Sequence, residues 1–499
     1  MLYVFRRSWR QLTSMRTALI LLFLLAVAAI PGSLLPQRTV AVEKVNQYLA
    51  THGDTGRWLD RLWLFDVYSS PWFSAIYLLL FVSLVGCFVP RLRDHTVALF
   101  RRPPEAPQRL ERLPAHASLP GPVPAADVAG ALRARRFRVA VRADGEVTTV
   151  SAEKGQLKES GNLLFHLALL ALLIGVGAGS WWGWHANRLL VAGEDQAFCN
   201  TLGQYDEYGL GARVTPGGLP PFCLQLDRFD ASYVDSGQPV SFAAAMRYSV
   251  DGAPQRSQTV KVNSPLRLSG ANVYLLGHGY APVLRYTDRY GRAQTTVTPF
   301  LSNDGQLTSE GVAAFPDANV DPATGARPQR SQVAFAGVYL PTAATDGSAR
   351  SAFPAERDPR LVLVAYVGDL GAPPSVYSLD QRQIQAGRLA AVGEPHRMRA
   401  GEKWTLPDGS TVEFLGTRPW VTLSVRHDPG EKPVLAAAVL LLLGLLVSLT
   451  GKRRRVWFRL SPDGVVAGGL PRTEYPGFRA EFDEIVRAVR ERIPDGCPV

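Results

Sequence analysis

No CxxC pair, CxxCH motif, HExxH helix or GxxxxGK(S/T) loop occurs in this sequence, and each absence removes a chemistry. The first would hold a dithiol redox centre and the second a covalent c-type haem. The third would hold a catalytic zinc and the fourth a nucleotide phosphate. Nothing in the chain resembles an autonomous active site, so no catalytic residue is assigned. Cysteine is scarce, with 4 among 499 residues. Acids are missing ahead of the first apolar run, where Arg6, Arg7, Arg10 and Arg16 stand without a counter-charge. The formal charge of +11 is therefore local, because positions 183–432 hold 23 Lys and Arg against 24 Asp and Glu. No basic patch is interleaved with a stacking platform, which argues against nucleic acid and points the basic segments at anionic lipid head groups.

What is present is apolar length. Four stretches carry almost no formal charge: Thr17 to Pro36, Pro71 to Pro90, Gly161 to Trp184, and Pro433 to Gly451. Each reaches the roughly 18–25 residues that a helix needs to cross a hydrocarbon core of about 30 Å. Uninterrupted runs such as LAAAVLLLLGLLVSL disfavour the core helices of a soluble protein. The chain thus reads as an integral membrane protein with four transmembrane α-helices. Arg91, Arg93, Arg101 and Arg102 follow the second stretch, and Lys452, Arg453, Arg454 and Arg455 follow the fourth. The loop 37–70 is balanced, with four basic and four acidic residues. The positive-inside rule then makes the arm 1–16, the segment 91–160 and the tail 452–499 cytoplasmic. It places the loop 37–70 and the large segment 185–432 outside the plasma membrane. Ala26-Val27-Ala28 is similar to a signal-peptide cleavage site, but the apolar run continues to Pro36, beyond a usual signal core.

The extracytoplasmic segment 185–432, between helices three and four, reads as a mostly-β domain, a sandwich or open barrel. FAAAMRYSVDGAPQRSQTVKV predicts two strands about Asp251-Gly252, a favoured hairpin dipeptide. Tyr290-Gly291 and Pro407-Asp408-Gly409 mark further turns, and the Asp-, Pro- and Gly-rich stretch 302–332 predicts a long surface loop. In the cytoplasmic segment, a Pro-rich linker (RRPPEAPQRLERLP) precedes a small folded patch. AADVAGALRARRF has helical spacing, and FRVAVRADGEVTTVSAEKG predicts two strands about an Asp-Gly turn.

Cys199 and Cys223 fall in the outer segment, 24 positions apart. An oxidising compartment permits a disulfide there, and closing such a loop stabilises by about 3 kcal/mol. Two free thiols that handle a partner are the alternative. Cys87 and Cys497 have no neighbours that suggest a metal. His166 lies inside the third apolar stretch, where an ionisable side chain is a functional candidate because leaving it unpaired in hydrocarbon is costly. Neutral imidazole is a usual axial ligand of haem iron; the alternative is a hydrogen bond that holds the helix bundle together. Trp181, Trp182 and Trp184 read as an interfacial belt ahead of His185. His278 stands between Gly277 and Gly279, which leaves room for a ligand or backbone to approach, and His427 lies six residues before the fourth stretch. Both are candidate ligands or simply exposed polar residues.

Several segments carry a resemblance. They run IPGSLLPQ, LDRLWLFDVYSSPWFSAIYLLLFVSLVGCFVPR, RRPPEAP, EKGQLKESGNLLFHLALLALLIG, SGQPVSFAAAMRYSV, VKVNSPLRLSGANVYLLGHGYAP, RHDPGEKPV and GLLVSLTGKRRRVWFRL. In this order on a four-span frame, the chain resembles the ResB/CcsB family of System II cytochrome c biogenesis proteins over nearly its whole length. The resemblance implies one half of a cytochrome c synthase (haem lyase), paired with a CcsA/ResC-type membrane protein. Its cargo would be haem b, not covalently bound, moved across the membrane and presented to the CxxCH of apocytochrome c. A thioredoxin-like thiol reductant is a further implied partner. His166 matches the FH of the family's third span, and its implied role is a haem-iron ligand. Trp181, Trp182 and Trp184 do not fit the WGxxWxWD signature of the partner, which implies one half of the machine rather than a fused synthase. The resemblance assigns no ligand role to His278 or His427. The rival reading is a membrane-anchored binding or scaffold module without a haem role.

Overall fold

The computed structural model describes residues 2–38, 42–193, 196–268, 270–302, 304–326, 328–372 and 377–492, so Cys497 lies outside the described residues. The chain forms two compact units, Met1–Gly179 with Pro429–Val499, and Ser180–Asp428.

In the first unit, four helices are long and apolar enough to cross a membrane: Met15–Leu34, Pro71–Phe100, Leu157–Trp182 and Glu431–Thr450. Their starts follow local chemistry. Ser14 Oγ accepts the Thr17 N–H at 3.2 Å, and Ser70 Oγ accepts the Phe73 N–H at 3.2 Å with Pro71 in the first turn. The second helix runs ten residues past Pro90 instead of ending there. Phe88 and His95 are both buried, so the packed face continues beyond the proline and holds the helix together. The third helix begins at Leu157 rather than Gly161, which sets His166 two and a half turns from its start instead of one. The loop 37–70 is not plain coil, because Val42–Arg61 is helical with a break at Gly53, where φ is 45°. Arg38 bridges Asp60 at 2.6 Å and also Asp66, closing the base of that loop.

The third and fourth apolar helices touch along small residues spaced seven apart. Gly161, Ala168 and Gly175 lie on one helix, Ala437 and Gly444 on the other, and Gly451 caps the end of the latter. A Cβ on Gly161 would stand 2.7 Å from the Ser448 nitrogen, and one on Gly444 would stand 2.6 Å from the Phe165 nitrogen. Such contacts bring backbones together where lipid supplies no hydrophobic drive between helices. The leucines at 435, 442 and 449 on the fourth helix are exposed.

The tail is no appendage. A five-stranded antiparallel sheet runs in the order Ala115–Pro120, Gly464–Pro471, Arg454–Ser461, Val147–Lys154, Arg138–Asp144. The predicted hairpin about Gly145 supplies two strands, and the residues after the fourth apolar helix supply two more. Helices Ala125–Ala134 and Phe478–Arg490 cover the sheet, setting Val128, Leu132, Phe482 and Ile485 against Val150, Phe458 and Ala467. The Pro-rich linker is held rather than loose: Trp457 Nε1 donates to the Pro104 carbonyl at 3.1 Å, and Arg459 to those of Pro107 and Gln108 at 2.8 Å.

The second unit is built on two 17-residue strands, Ala271–Thr287 and Thr411–His427, paired from Asn272–Arg426 to Thr287–Thr411. Trp184–Val191 and Glu207–Leu210 extend their sheet on one side and Leu266–Leu268 on the other. One half of this long pair packs Val273, Val421 and Leu423 against Leu224, Leu226 and Met246 of a four-stranded sheet. The other half packs Leu284, Tyr286 and Phe414 against Phe335, Leu361 and Leu363 of a five-stranded sheet. Two cores thus share one sheet. The expected hairpin at Asp251-Gly252 joins Pro239–Val250 to Arg256–Lys261, with both turn residues at positive φ. The stretch 302–332 is not one loop: Ser309–Phe315 is a largely buried strand, second in the five-stranded sheet, between Leu301–Ser302 and Gln332–Leu340. Its SEGVAAF is short and flanked by Asp, Gly and Pro, which hid the strand in composition. Trp184 is buried in the first core rather than joining the exposed Trp181 and Trp182, because strand alternation turns it inward.

Candidate functional site

His166 shares a helix face with Leu163 and Leu170, at i−3 and i+4, and both pack against Leu84 and Phe88 of the second apolar helix. Its Nδ1 lies 2.8 Å from the carbonyl oxygen of Asn162, one turn back on the same helix. A carbonyl only accepts, so Nδ1 carries a proton, and in the neutral ring Nε2 keeps its lone pair. That tautomer is what an axial metal ligand requires, with the second ring nitrogen oriented by a backbone carbonyl. The Phe165 ring stands edge-on to the imidazole at 5.3 Å. Around this point the helices are fixed from two directions. Tyr77 donates to the Leu173 carbonyl from the second helix, and Gly444 of the fourth lies against Phe165.

About 9 Å further down the third helix, by its rise of 1.5 Å per residue, polar groups from four elements converge. His95 of the second helix is buried, and its Nε2 is 3.0 Å from Ser160 Oγ. Its Nδ1 has no hydrogen bond and lies 3.6 Å from Glu159 Oε2. Glu159 pairs with Arg453, and Arg453 pairs with Glu153 at 2.7 Å. Arg455 reaches the same Glu153 oxygen at 3.1 Å. Burial alone would raise the Glu153 carboxyl, but the two arginines outweigh it and hold it below the ordinary carboxylate value. This knot fastens the second and third apolar helices, and the segment that follows the fourth, to the sheet. His95 was missed in the sequence because Pro90 and the following arginines read as the helix end. The spacing Phe88, Leu92, His95, Leu99 was the available signal.

His278 is placed differently. Its Nε2 is 2.7 Å from the Tyr233 hydroxyl, and the rings of Phe242 and Phe229 lie 4.5 and 5.1 Å from its own. Burial lowers its pKa to about 4, so the ring is neutral. The room beside Gly279 is filled by the Trp420 indole, 2.5 Å from where a Cβ would stand. His427 ends its strand opposite Trp184. His278 pairs with Val421, six positions from His427 along the same strand, so the two residues are about 20 Å apart along the backbone at roughly 3.3 Å per residue. They do not form one site. Cys199 and Cys223 face each other on paired strands and are joined by a disulfide. Among the described residues no three His, Cys, Asp or Glu side chains gather as a metal site.

A family model described as the ResB-like family matches residues 15–483. The chain is 25% identical to cytochrome c biogenesis protein CcsB of Synechococcus sp. (strain CC9311), over 97% of this chain and 98% of that relative. It is 25% identical to the protein of the same name from Gloeobacter violaceus, over 97% and 91% of the two chains. A third CcsB, from Synechococcus sp. (strain JA-3-3Ab), is 28% identical over 95% and 88%.

Proposed function

The chain belongs to the ResB-like family, and from that premise we propose that it is the haem-handling half of a cytochrome c synthase. Its role is in cytochrome c biogenesis, the role that its CcsB relatives are named for. Haem b is the cargo: the protein helps to move it through the membrane and present it to apocytochrome c for attachment at CxxCH. A CcsA/ResC-type membrane protein supplies the other half, and a thioredoxin-like reductant keeps the apocytochrome thiols reduced. His166 Nε2 is the axial ligand of the haem iron during passage, and the observation that carries this is the Nδ1 bond to Asn162. Leu163 and Leu170, on the same face, are packed on Leu84 and Phe88 and make the surroundings of the imidazole apolar. His278 and His427 carry no step in this reading.

The topology follows the same reading. One sheet contains residues from before the third apolar helix and after the fourth, which supports a common side for both. The basic residues at their edges favour the cytoplasm of a cell whose plasma membrane holds the four spans. The disulfide favours an oxidising, outer location for the β unit. The chain contributes orientation, and the porphyrin and thiols carry the bond-forming chemistry.

The test is a haem-stained gel of membranes from a strain lacking this protein, beside the parent and a His166→Ala complement. Loss of the covalent haem bands in the deletion strain, with apocytochrome still made, is the expected outcome. Unchanged bands, with no second copy of the gene, leave a scaffold without a haem role as the better reading.

A further inference from the structure

The arginines ahead of the first apolar helix have no task in haem ligation. The helix Leu2–Leu12 carries Arg6, Arg7 and Arg10, and Arg16 stands in the first turn of Met15–Leu34. These four line one open cavity of about 1070 Å³, together with Tyr3, Gln11, Ser14 and Thr17. No acid precedes Glu43 in the chain, and none of the four makes an ion pair among the described residues. Arginines elsewhere, such as Arg188 and Arg247, sit against carboxylates. A bare charge run would be a solvated face, but this one has a fixed shape. Ser83 Oγ of the second apolar helix donates to the Leu12 carbonyl at 2.5 Å, and Cys87 Sγ to the Thr13 carbonyl at 2.8 Å. Thr17 Oγ1 donates to the Gln11 carbonyl at 2.7 Å, across the bend between the two helices. A Cβ on Gly86 would stand 2.1 Å from the Thr13 side chain, so the bend lies directly on the second helix.

We propose that this cavity binds the phosphate head group of an anionic phospholipid. The position argues for lipid: the cavity opens where the first apolar helix starts, which is head-group depth for a spanning helix. Trp9 and Tyr3 are exposed beside the arginines, the amphipathic pairing that favours an interface. Guanidinium forks take phosphate oxygens in bidentate fashion, and the start of an apolar helix adds N–H groups and a favourable dipole. Holding a lipid there would clamp the arm and the second helix, and so brace the helix that packs on the His166 face.

The full-length chain, purified in detergent and washed, is analysed by mass spectrometry for retained lipid. Its thermal unfolding is then followed with phosphatidylglycerol, phosphatidylcholine or inorganic phosphate added. Phosphatidylglycerol is expected to be retained and to raise the melting temperature, and the other two are not. The quadruple variant R6Q/R7Q/R10Q/R16Q is expected to lose retention at least tenfold. Because losing four charges can also reverse insertion, R6K/R7K/R10K/R16K is measured in parallel. It keeps the charge that orients the chain, removes the planar forks, and is expected to hold the lipid several-fold less tightly. Unchanged retention in both variants overturns the proposal. Equal stabilisation by inorganic phosphate or by phosphatidylcholine overturns it as well.

Discussion

His166 on the third apolar helix and His278 in the β unit each make one close hydrogen bond, through opposite ring nitrogens. His166 gives its Nδ1 proton to a backbone carbonyl at 2.8 Å and leaves Nε2 unengaged among the described residues. His278 commits Nε2 to a tyrosine hydroxyl at 2.7 Å and is enclosed by phenylalanine rings. Burial lowers the pKa of His278 to about 4. Perturbed groups cluster at functional sites, yet here the perturbed histidine is the packed one. What separates the two is which nitrogen stays available, and that depends on the partner's chemistry.

The largest effect should come from His166→Ala. Covalent haem staining is expected to fall at least tenfold with the protein still in the membrane, and added imidazole should restore part of it. His278→Phe should leave staining near the parent level, because a phenylalanine fits a cage of aromatic rings. If His278→Phe abolishes staining while the protein accumulates normally, the contrast between the two histidines is broken. Next is Gly444→Leu, whose side chain would enter the backbone of Phe165. It should reduce staining several-fold by moving the fourth helix away from the His166 turn, and Gly444→Ala should reduce it less. A Leu variant with full staining would separate His166 function from that helix contact.

Stability readouts sharpen the comparison further. Arg453→Met leaves Glu153 buried with Arg455 as its remaining arginine, and losing one partner of a buried pair costs about 3–5 kcal/mol. Protease sensitivity of the sheet should rise accordingly, and the double variant Arg453→Met with Glu153→Gln should recover part of the loss. The smallest expected effect concerns pH. The pKa of His278 lies at about 4 in the folded protein against an ordinary 6.5, so between those values the unfolded chain binds more protons. The stabilisation is present above pH 6.5 and is lost as pH falls toward 4, by at most about 3–4 kcal/mol at 1.36 kcal/mol per unit. Melting of the full chain at pH 7 and pH 5, with His278→Phe alongside, measures it. The variant should lose less stability on acidification than the parent.

Much of the architecture was legible in local pattern. The four apolar helices follow from runs of uncharged residues, and the hairpins at Asp251-Gly252 and Asp144-Gly145 from turn dipeptides between alternating strands. The strand Ser309–Phe315 escaped because a seven-residue strand in a Gly- and Pro-rich setting has little periodicity to offer. His166 stood out as an imidazole inside an apolar run. His95 did not, because a proline and a cluster of arginines disguised the continuation of its helix.

The sequence by itself determined which segments can enter a bilayer, since length and lack of charge fix transfer cost without reference to neighbours. It also determined the charge asymmetry of the loops and the strand character of the segment 185–432. Tertiary structure decided the rest. That the residues after the fourth apolar helix complete a sheet begun some 300 positions earlier is a matter of edge pairing, which local pattern does not encode. The opposite fates of His166 and His278 likewise depend on contacts. A side chain's free nitrogen is set by what surrounds it, and the residues that form those surroundings are distant in the chain for His278 and one helical turn away for His166.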